Sequence, residues 1–254
     1  MIRRPPRSTL SSSSAASDVY KRQDFTFVFV GAVDLGEMKN LAKVYLASLP
    51  STGRVEKGRH LGDDPLPGKR NVEINFGLEE KTSVRVLFTG EAEWSPENRY
   101  LVSVVRDLLN IRMRESLREE NGGTYGVGVF ASLTREPKER FSSGFAFSCD
   151  PANADLLIRE GVAQILDLQE RGVRVKNLEK VQEIHLRGYE TGLKENGFWL
   201  RNLVSVAREG REYSEILDFP NQVKVFDPYQ IQEAARKYFN FDNVVVAKLN
   251  PKHR

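Results

Sequence analysis

Apolar positions along this chain change their period several times, and each change predicts an element. Phe25-Thr26-Phe27-Val28-Phe29-Val30 is a β-branched and aromatic run that stops at Gly31, a strand. Asp34 then suits a helix N-cap, with Met38, Leu41, Tyr45 and Leu46 at helical spacing until Leu49-Pro50. Val72–Phe76 and Thr82–Phe88 read as strands, the second placing Val84, Val86 and Phe88 on one face. Ser95-Pro96 predicts a helix start, and Leu101, Val104, Val105, Leu108 and Leu109 form its apolar stripe. Tyr125–Leu133 and Arg140–Ser148 predict an antiparallel pair, the second alternating through Phe141, Phe145 and Phe147. Asp150-Pro151 opens a helix to Gly172. A further helix is expected from Val175 to Asn196-Gly197, and a shorter one to Gly210. Asp227-Pro228 caps the last helix, ending at Tyr238-Phe239, and Val244–Leu249 is the closing strand.

Between these runs the pattern lapses. Residues 51–70 are rich in Gly, Pro and charge with nothing periodic, which predicts a linker and a domain boundary. The run Phe25–Val30 ahead of Gly-Ala-Val-Asp has a counterpart in Asn243–Leu249 ahead of Asn-Pro, one domain length later, as if each closed a domain. Residues 1–23 carry five bases, six serines and no apolar core, so they are not a secretory signal. They resemble the conceptual translation of a sequencing adapter. The expectation is a non-native, disordered leader, with the natural N-terminus upstream.

Composition narrows the classes. The formal charge of +3 suggests affinity for nucleic acid, but residues 1–23 hold five bases and one acid. The remainder has 33 bases against 34 acids, and no basic stripe interleaved with aromatics crosses it, which argues against nucleic acid. No apolar run is long enough to cross a membrane, which takes about 20 residues. The single cysteine, Cys149, excludes an internal disulfide and a Cys-rich metal site, and reads as a buried strand end.

The stretch with most chemistry is Leu117–Val127. A charged helix end runs into Gly122-Gly123 and then into a strand through Tyr125, setting a guanidinium, Arg118, and a phenol seven positions apart across a corner. Gly122-Gly123 closes a helix instead of opening one, so it reads as a C-cap turn and not as a phosphate cradle. The dense charge of 112–120 reads as a solvated helix face. Of the three histidines, His60 is followed at the third and fourth positions by Asp63 and Asp64, His185 by Gly188 and Tyr189, and His253 lies near the last residue. No two stand one helical turn apart, the spacing that lets paired imidazoles hold zinc. His185 therefore reads as structural, and Phe198-Trp199 as packing.

In order, strand, Gly-x-Val-Asp, helix, Leu-Pro, linker, two strands, long helix, then Leu-Arg ahead of Gly-x-Tyr-Gly-Val, the chain resembles the pitrilysin/insulinase family of zinc metallopeptidases, its bacterial periplasmic-type members above all. The Asp150-Pro151 helix, Glu195-Asn196-Gly197-Phe198-Trp199 and the closing Val-rich strand carry the likeness over about residues 24–252. The resemblance implies an α+β fold, a two-layer α/β roll whose mainly antiparallel sheet is packed by helices on one face. It implies residues 24–60 as the C-terminal strand and helix of a truncated preceding domain, 61–70 as linker and 71–254 as a complete C-terminal domain. It also implies the C-terminal, non-zinc half of a zinc metalloendopeptidase. Zinc would lie in the N-terminal half, the partner this chain lacks, with none bound here. An extended peptide would be the substrate and the periplasm the setting. The family's substrate-contacting Arg and Tyr map onto Arg118 and Tyr125, where a guanidinium holds a carbonyl or carboxylate and a phenol donates to a developing oxyanion. The alternative is an inactive structural or peptide-binding relative of the same family.

Overall fold

The computed structural model describes residues 25–49, 61–62, 64–65, 67–120 and 124–252. The expected leader, most of the linker, Gly122-Gly123, His60 and His253 lie outside these residues, as do the side chains of Arg118 and Tyr125. In chain order the first elements are α1 (Leu35–Leu41), β1 (Lys69–Asn75), β2 (Thr82–Glu91), α2 (Pro96–Met113), β3 (Thr124–Thr134) and β4 (Arg140–Cys149). Then come α3 (Ala154–Arg171), α4 (Val175–Gly192), α5 (Asn196–Glu209), α6 (Phe219–Lys224), α7 (Pro228–Tyr238) and β5 (Val244–Asn250). The described residues divide into two compact units, 25–49 with 190–217, and 61–189 with 218–252.

In the first unit, residues 25–30 join no ladder among the described residues, so the strand predicted there is not one in this structure. Apolar character alone does not make a strand; the ladder bonds of a neighbour do. Phe25, Phe27 and Phe29 are accordingly exposed. Asp34 caps α1 as predicted, Oδ1 accepting from the Glu37 amide at 2.7 Å. The predicted helix from Val175 stops at Gly192, and Asn196 starts α5 instead of ending α4. The break is local packing. A Cβ on Gly192 would lie 2.6 Å from the Phe198 ring, and Trp199 donates its indole N–H to the Leu193 carbonyl at 2.9 Å. Helix α5 ends on Gly210, whose φ of +66° is left-handed.

The second unit is built on one five-stranded sheet in the order β1-β5-β2-β4-β3. Only β1 and β5 are parallel; the other neighbours are antiparallel. The fold is therefore the mixed α/β arrangement with a mainly antiparallel sheet that the resemblance implies. Alternation decides which face is covered. Val84, Val86 and Phe88 on β2 and Phe141, Phe145 and Phe147 on β4 point to one side and are buried. Against them pack Val104, Val105, Leu108 and Leu109 of α2, Leu157, Ile165 and Leu168 of α3, and Ile231, Ala235 and Tyr238 of α7. Each buried Val, Leu, Ile or Phe among them stabilises the fold by about 1.5–3 kcal/mol. Of the predicted α2 stripe, Leu101 is only half-buried, while Tyr100, Val102 and Met113 are buried and went unread. Cys149 ends β4 on the covered face, buried as expected.

Caps fix the helix entries. Ser95 Oγ accepts from the Asn98 amide at 3.1 Å ahead of Pro96, and Asp227 with Gln230 forms a reciprocal capping box ahead of α7. The charged stretch 112–120 is not simply a solvated face. Arg112 pairs with Asp167 at 2.9 Å and donates to the Gly172 carbonyl at 3.2 Å, tying α2 to α3, while Met113, Ser116 and Leu117 are buried. A helix that crosses the core edge must alternate charge with anchors.

Candidate functional site

The corner between α2 and β3 is built in an unusual way. Past Met113 the helix widens into a π-wound turn, Arg114–Glu120, and Arg118 sits within it. The turn is pinned from below by Leu117, fully buried, and Ser116, nearly so. Such widened turns recur at functional sites because they shift the direction of a helix end.

Tyr125 lies at a bulge in β3. Thr124 faces Cys149 on β4 and Val127 faces Phe147, so three steps of β3 oppose two of β4. One residue is extra. The Thr124 hydroxyl holds this irregularity, donating to the Ser148 carbonyl at 2.8 Å, with the Gly126 carbonyl at 3.0 Å, and accepting from the Gly126 amide at 3.2 Å. Bulges re-aim the side chains they carry and collect next to active sites. The sequence showed the spacing of Arg118 and Tyr125. It did not show the π-wound turn or the bulge that carry them.

The bulge borders the open face of the sheet. By register, Val72 and Ile74 (β1), Ala247 and Leu249 (β5), Ser83, Arg85 and Leu87 (β2), Gly144, Ala146 and Ser148 (β4) and Gly126, Gly128 and Phe130 (β3) share this face. Helices pack on the opposite side, so these residues make no part of the core. A shallow cavity of about 710 Å³ lies over them, reaching from Val72 and Ile74 to Gly126 and including Arg85; Lys248 borders it but stands opposite Val84 in register, on the helix side. Lys248 is already committed, to Glu73 and to Asp155 at 3.1 Å. Those two hydrogen-bonded carboxylates push its pKa up.

Arg85 is different. Its guanidinium carbon stands 4.5 Å from the centroid of the Phe130 ring, a cation–π contact. It makes no ion pair with any described residue. The contact crosses β4 at Gly144, where a Cβ would meet the Val86 carbonyl oxygen at 2.0 Å and Phe130 Cζ at 2.8 Å. The φ of Gly144, +154°, also disfavours any side chain. Neither Arg85, Phe130 nor Gly144 was singled out by the sequence, because Arg85 sits in a plain Val-Arg-Val alternation and its neighbour is set by register.

Zinc finds no fitting donor set among the described residues. Among the described residues no three His, Cys, Asp or Glu side chains converge. Both ring nitrogens of His185 are taken, Nε2 by Asp107 Oδ2 at 2.7 Å and Nδ1 by the Tyr100 hydroxyl at 3.1 Å. That histidine is structural, as its sequence context suggested. Among the described residues no helix is long and apolar enough to cross a membrane.

A five-stranded, mainly antiparallel sheet with helices packed on one side and an open face on the other defines an α/β unit. Residues 14–184 match the family described as the Peptidase M16 inactive domain, and the chain belongs to that family. It is 29% identical over 141 residues to the probable zinc protease PqqL of Haemophilus influenzae, a match that takes in 55% of this chain and 15% of that relative. The chain thus spans about a seventh of the curated relative's length. The fold is shared with the periplasmic protease PqqL from Escherichia coli, with a TM-score of 0.72 at 17% identity over 87% of this chain and 25% of that one. It is shared also with the peptidase M16 inactive domain from Pseudomonas fluorescens, with a TM-score of 0.68 at 20% identity over 88% of this chain and 53% of that one. The resemblance to pitrilysin-like metallopeptidases read from the sequence therefore holds, and it holds for the inactive domain.

Proposed function

We propose that this chain is the C-terminal, substrate-clamping half of a zinc metalloendopeptidase and that its open sheet face forms a wall of the chamber for an extended peptide. The observation that carries the reading is the pairing of that uncovered, small-residue face with a bulged corner at its border. In this reading Tyr125 donates to the developing oxyanion and Arg118 holds a substrate carbonyl or carboxylate. Zinc, the attacking water and the general base belong to an N-terminal half carrying His-x-x-Glu-His. Residues ahead of the linker belong to a preceding domain. A periplasmic setting is part of the same proposal, supported by the description of the Escherichia coli relative as a periplasmic protease.

The test is a peptidase assay on the isolated chain and on the chain mixed with a zinc-bearing N-terminal half. The isolated chain should cleave nothing with or without added zinc, and the mixture should cleave. Chelator-sensitive cleavage by the chain alone would sink the proposal.

A further inference from the structure

We infer that the open sheet face carries a side-chain subsite for an acidic residue of the bound peptide, centred on Arg85. The inference rests on the reading of that face as a peptide wall and adds what kind of peptide it selects.

Three observations converge. The first is charge. Among the described residues lining the cavity, Arg85 is the charged one on the open face: Lys248 is opposite Val84 in register and is held by Glu73 and Asp155 on the helix side, and Arg85 has no carboxylate among the described residues. A guanidinium keeps its charge at any physiological pH and presents a planar fork suited to a carboxylate.

The second is posture. The Phe130 ring, 4.5 Å away, holds the guanidinium along the sheet, so ordering it for a ligand costs less side-chain freedom than an unsupported arginine would lose. Gly144 makes this possible, since a side chain there would collide with Phe130.

The third is shape. Around Arg85 the face is low, with Ala146 of β4 and Ala247 of β5 beside it in register and Gly128 of β3 one strand further on. The low row crosses the strands on both sides of Arg85, through Ala146 to Gly128 one way and to Ala247 the other, so a chain lying over it continues instead of ending there. The occupant is therefore an Asp or Glu side chain of a passing peptide and not a terminal carboxylate. The apolar side chains of Val72, Ile74 and Leu249, exposed at 42%, 55% and 41%, flank the subsite and suit apolar neighbours on the same peptide.

The experiment measures binding of fluorescent peptides to the full chain by anisotropy. Two peptides share an apolar, extended sequence and differ only by Glu or Gln at one central position. A third carries the Gln sequence with a free terminal carboxylate in place of an amide. The Glu peptide should bind about ten-fold tighter than the Gln peptide, about 1.4 kcal/mol, and the advantage should shrink with added salt. In Arg85→Gln the Glu-to-Gln ratio should fall to about one. In Arg85→Glu the preference should turn to a Lys-bearing peptide, provided circular dichroism shows the variant folded. Equal binding of Glu and Gln peptides overturns the subsite while leaving the peptide wall intact. A gain from the terminal carboxylate alone, or displacement by inorganic phosphate or an oligonucleotide at the same charge, overturns it too. Failure to bind any of the peptides overturns both this inference and the functional reading beneath it.

Discussion

The imidazole of His185 meets the carboxylate of Asp107 at 2.7 Å, Nε2 to Oδ2, and so joins α4 to α2. The tautomer that satisfies every atom has Nε2–H donating to the carboxylate and Nδ1 accepting from the Tyr100 hydroxyl. Arg106 grips the same carboxylate at 2.8 Å and 2.9 Å. Burial pushes the Tyr100 phenol well above its ordinary range, with the Asp107 charge adding to it, so that hydroxyl stays a donor.

This cluster predicts acid sensitivity. Burial alone would raise the Asp107 carboxyl, but the hydrogen bonds from His185 and Arg106 outweigh it and hold the group below the usual range. A carboxyl lowered in the folded state contributes stability that is complete above its unfolded value, about 4, and is lost as pH falls through the folded value. Urea midpoints measured from about pH 6 to about pH 3 should therefore drop, and Asp107→Asn should flatten that part of the curve. His185→Ala should cost about 1–3 kcal/mol at neutral pH, since it leaves the Tyr100 hydroxyl without its acceptor and takes one hydrogen bond from Asp107. An unchanged midpoint in that variant would show the cluster to be ornamental.

Gly144→Ala should be among the most damaging substitutions in the sheet. The new methyl would sit 2.0 Å from the Val86 carbonyl oxygen, a backbone atom that cannot rotate away. A loss of about 3 kcal/mol or more is expected in denaturant unfolding, against about 1 kcal/mol for an average substitution. A near-native midpoint would mean that β4 can slide past β2.

Thr124→Val tests the bulge. It keeps the volume but removes the hydroxyl that bonds Ser148 and Gly126, at a cost of about 1–2 kcal/mol. In the reconstituted peptidase it should lower kcat with little change in KM, because the bulge positions Tyr125 without being Tyr125. Tyr125→Phe in the same assay should lower kcat about 10²-fold, the scale of a lost oxyanion donor. Equal activity in both variants would remove the corner from the chemistry.

Cys149 should be inert until the fold opens. It is 1% exposed, and burial first, then the neighbouring Asp150 charge, pushes its thiol up. An aromatic disulfide reagent should titrate it only in denaturant, at a rate set by opening. Rapid reaction in the native state would contradict the packing at the end of β4.

Much of the fold was legible because local rules and packing agree. Val84, Val86 and Phe88 alternate and are buried, and Ser95-Pro96 and Asp227-Pro228 start helices where their side chains reach back to amides. Phe25–Val30 failed because a strand is a relation between two segments, and none of the described segments supplies the second. Helix α6 was missed because its six residues are too few to show a period. The candidate site was half legible. Its residue types were visible in Arg118 and Tyr125, but Arg85 over Phe130 depends on how β2, β4 and β3 are registered, which no stretch of sequence states by itself.

One topological detail has a cost in time. Strand β5 lies between β1 and β2, hydrogen-bonded to both, although β1 and β2 are made some 160 residues or more before it. On a ribosome the sheet cannot close until residue 250 has cleared the exit tunnel, and at about 5–20 residues per second β1 waits many seconds as an unpaired strand. Its row of lysine, arginine, asparagine and glutamate at Lys69, Arg70, Asn71 and Glu73 keeps that waiting strand soluble. Stalled chains ending near residue 240 should be digested by protease far faster than chains ending well past 250.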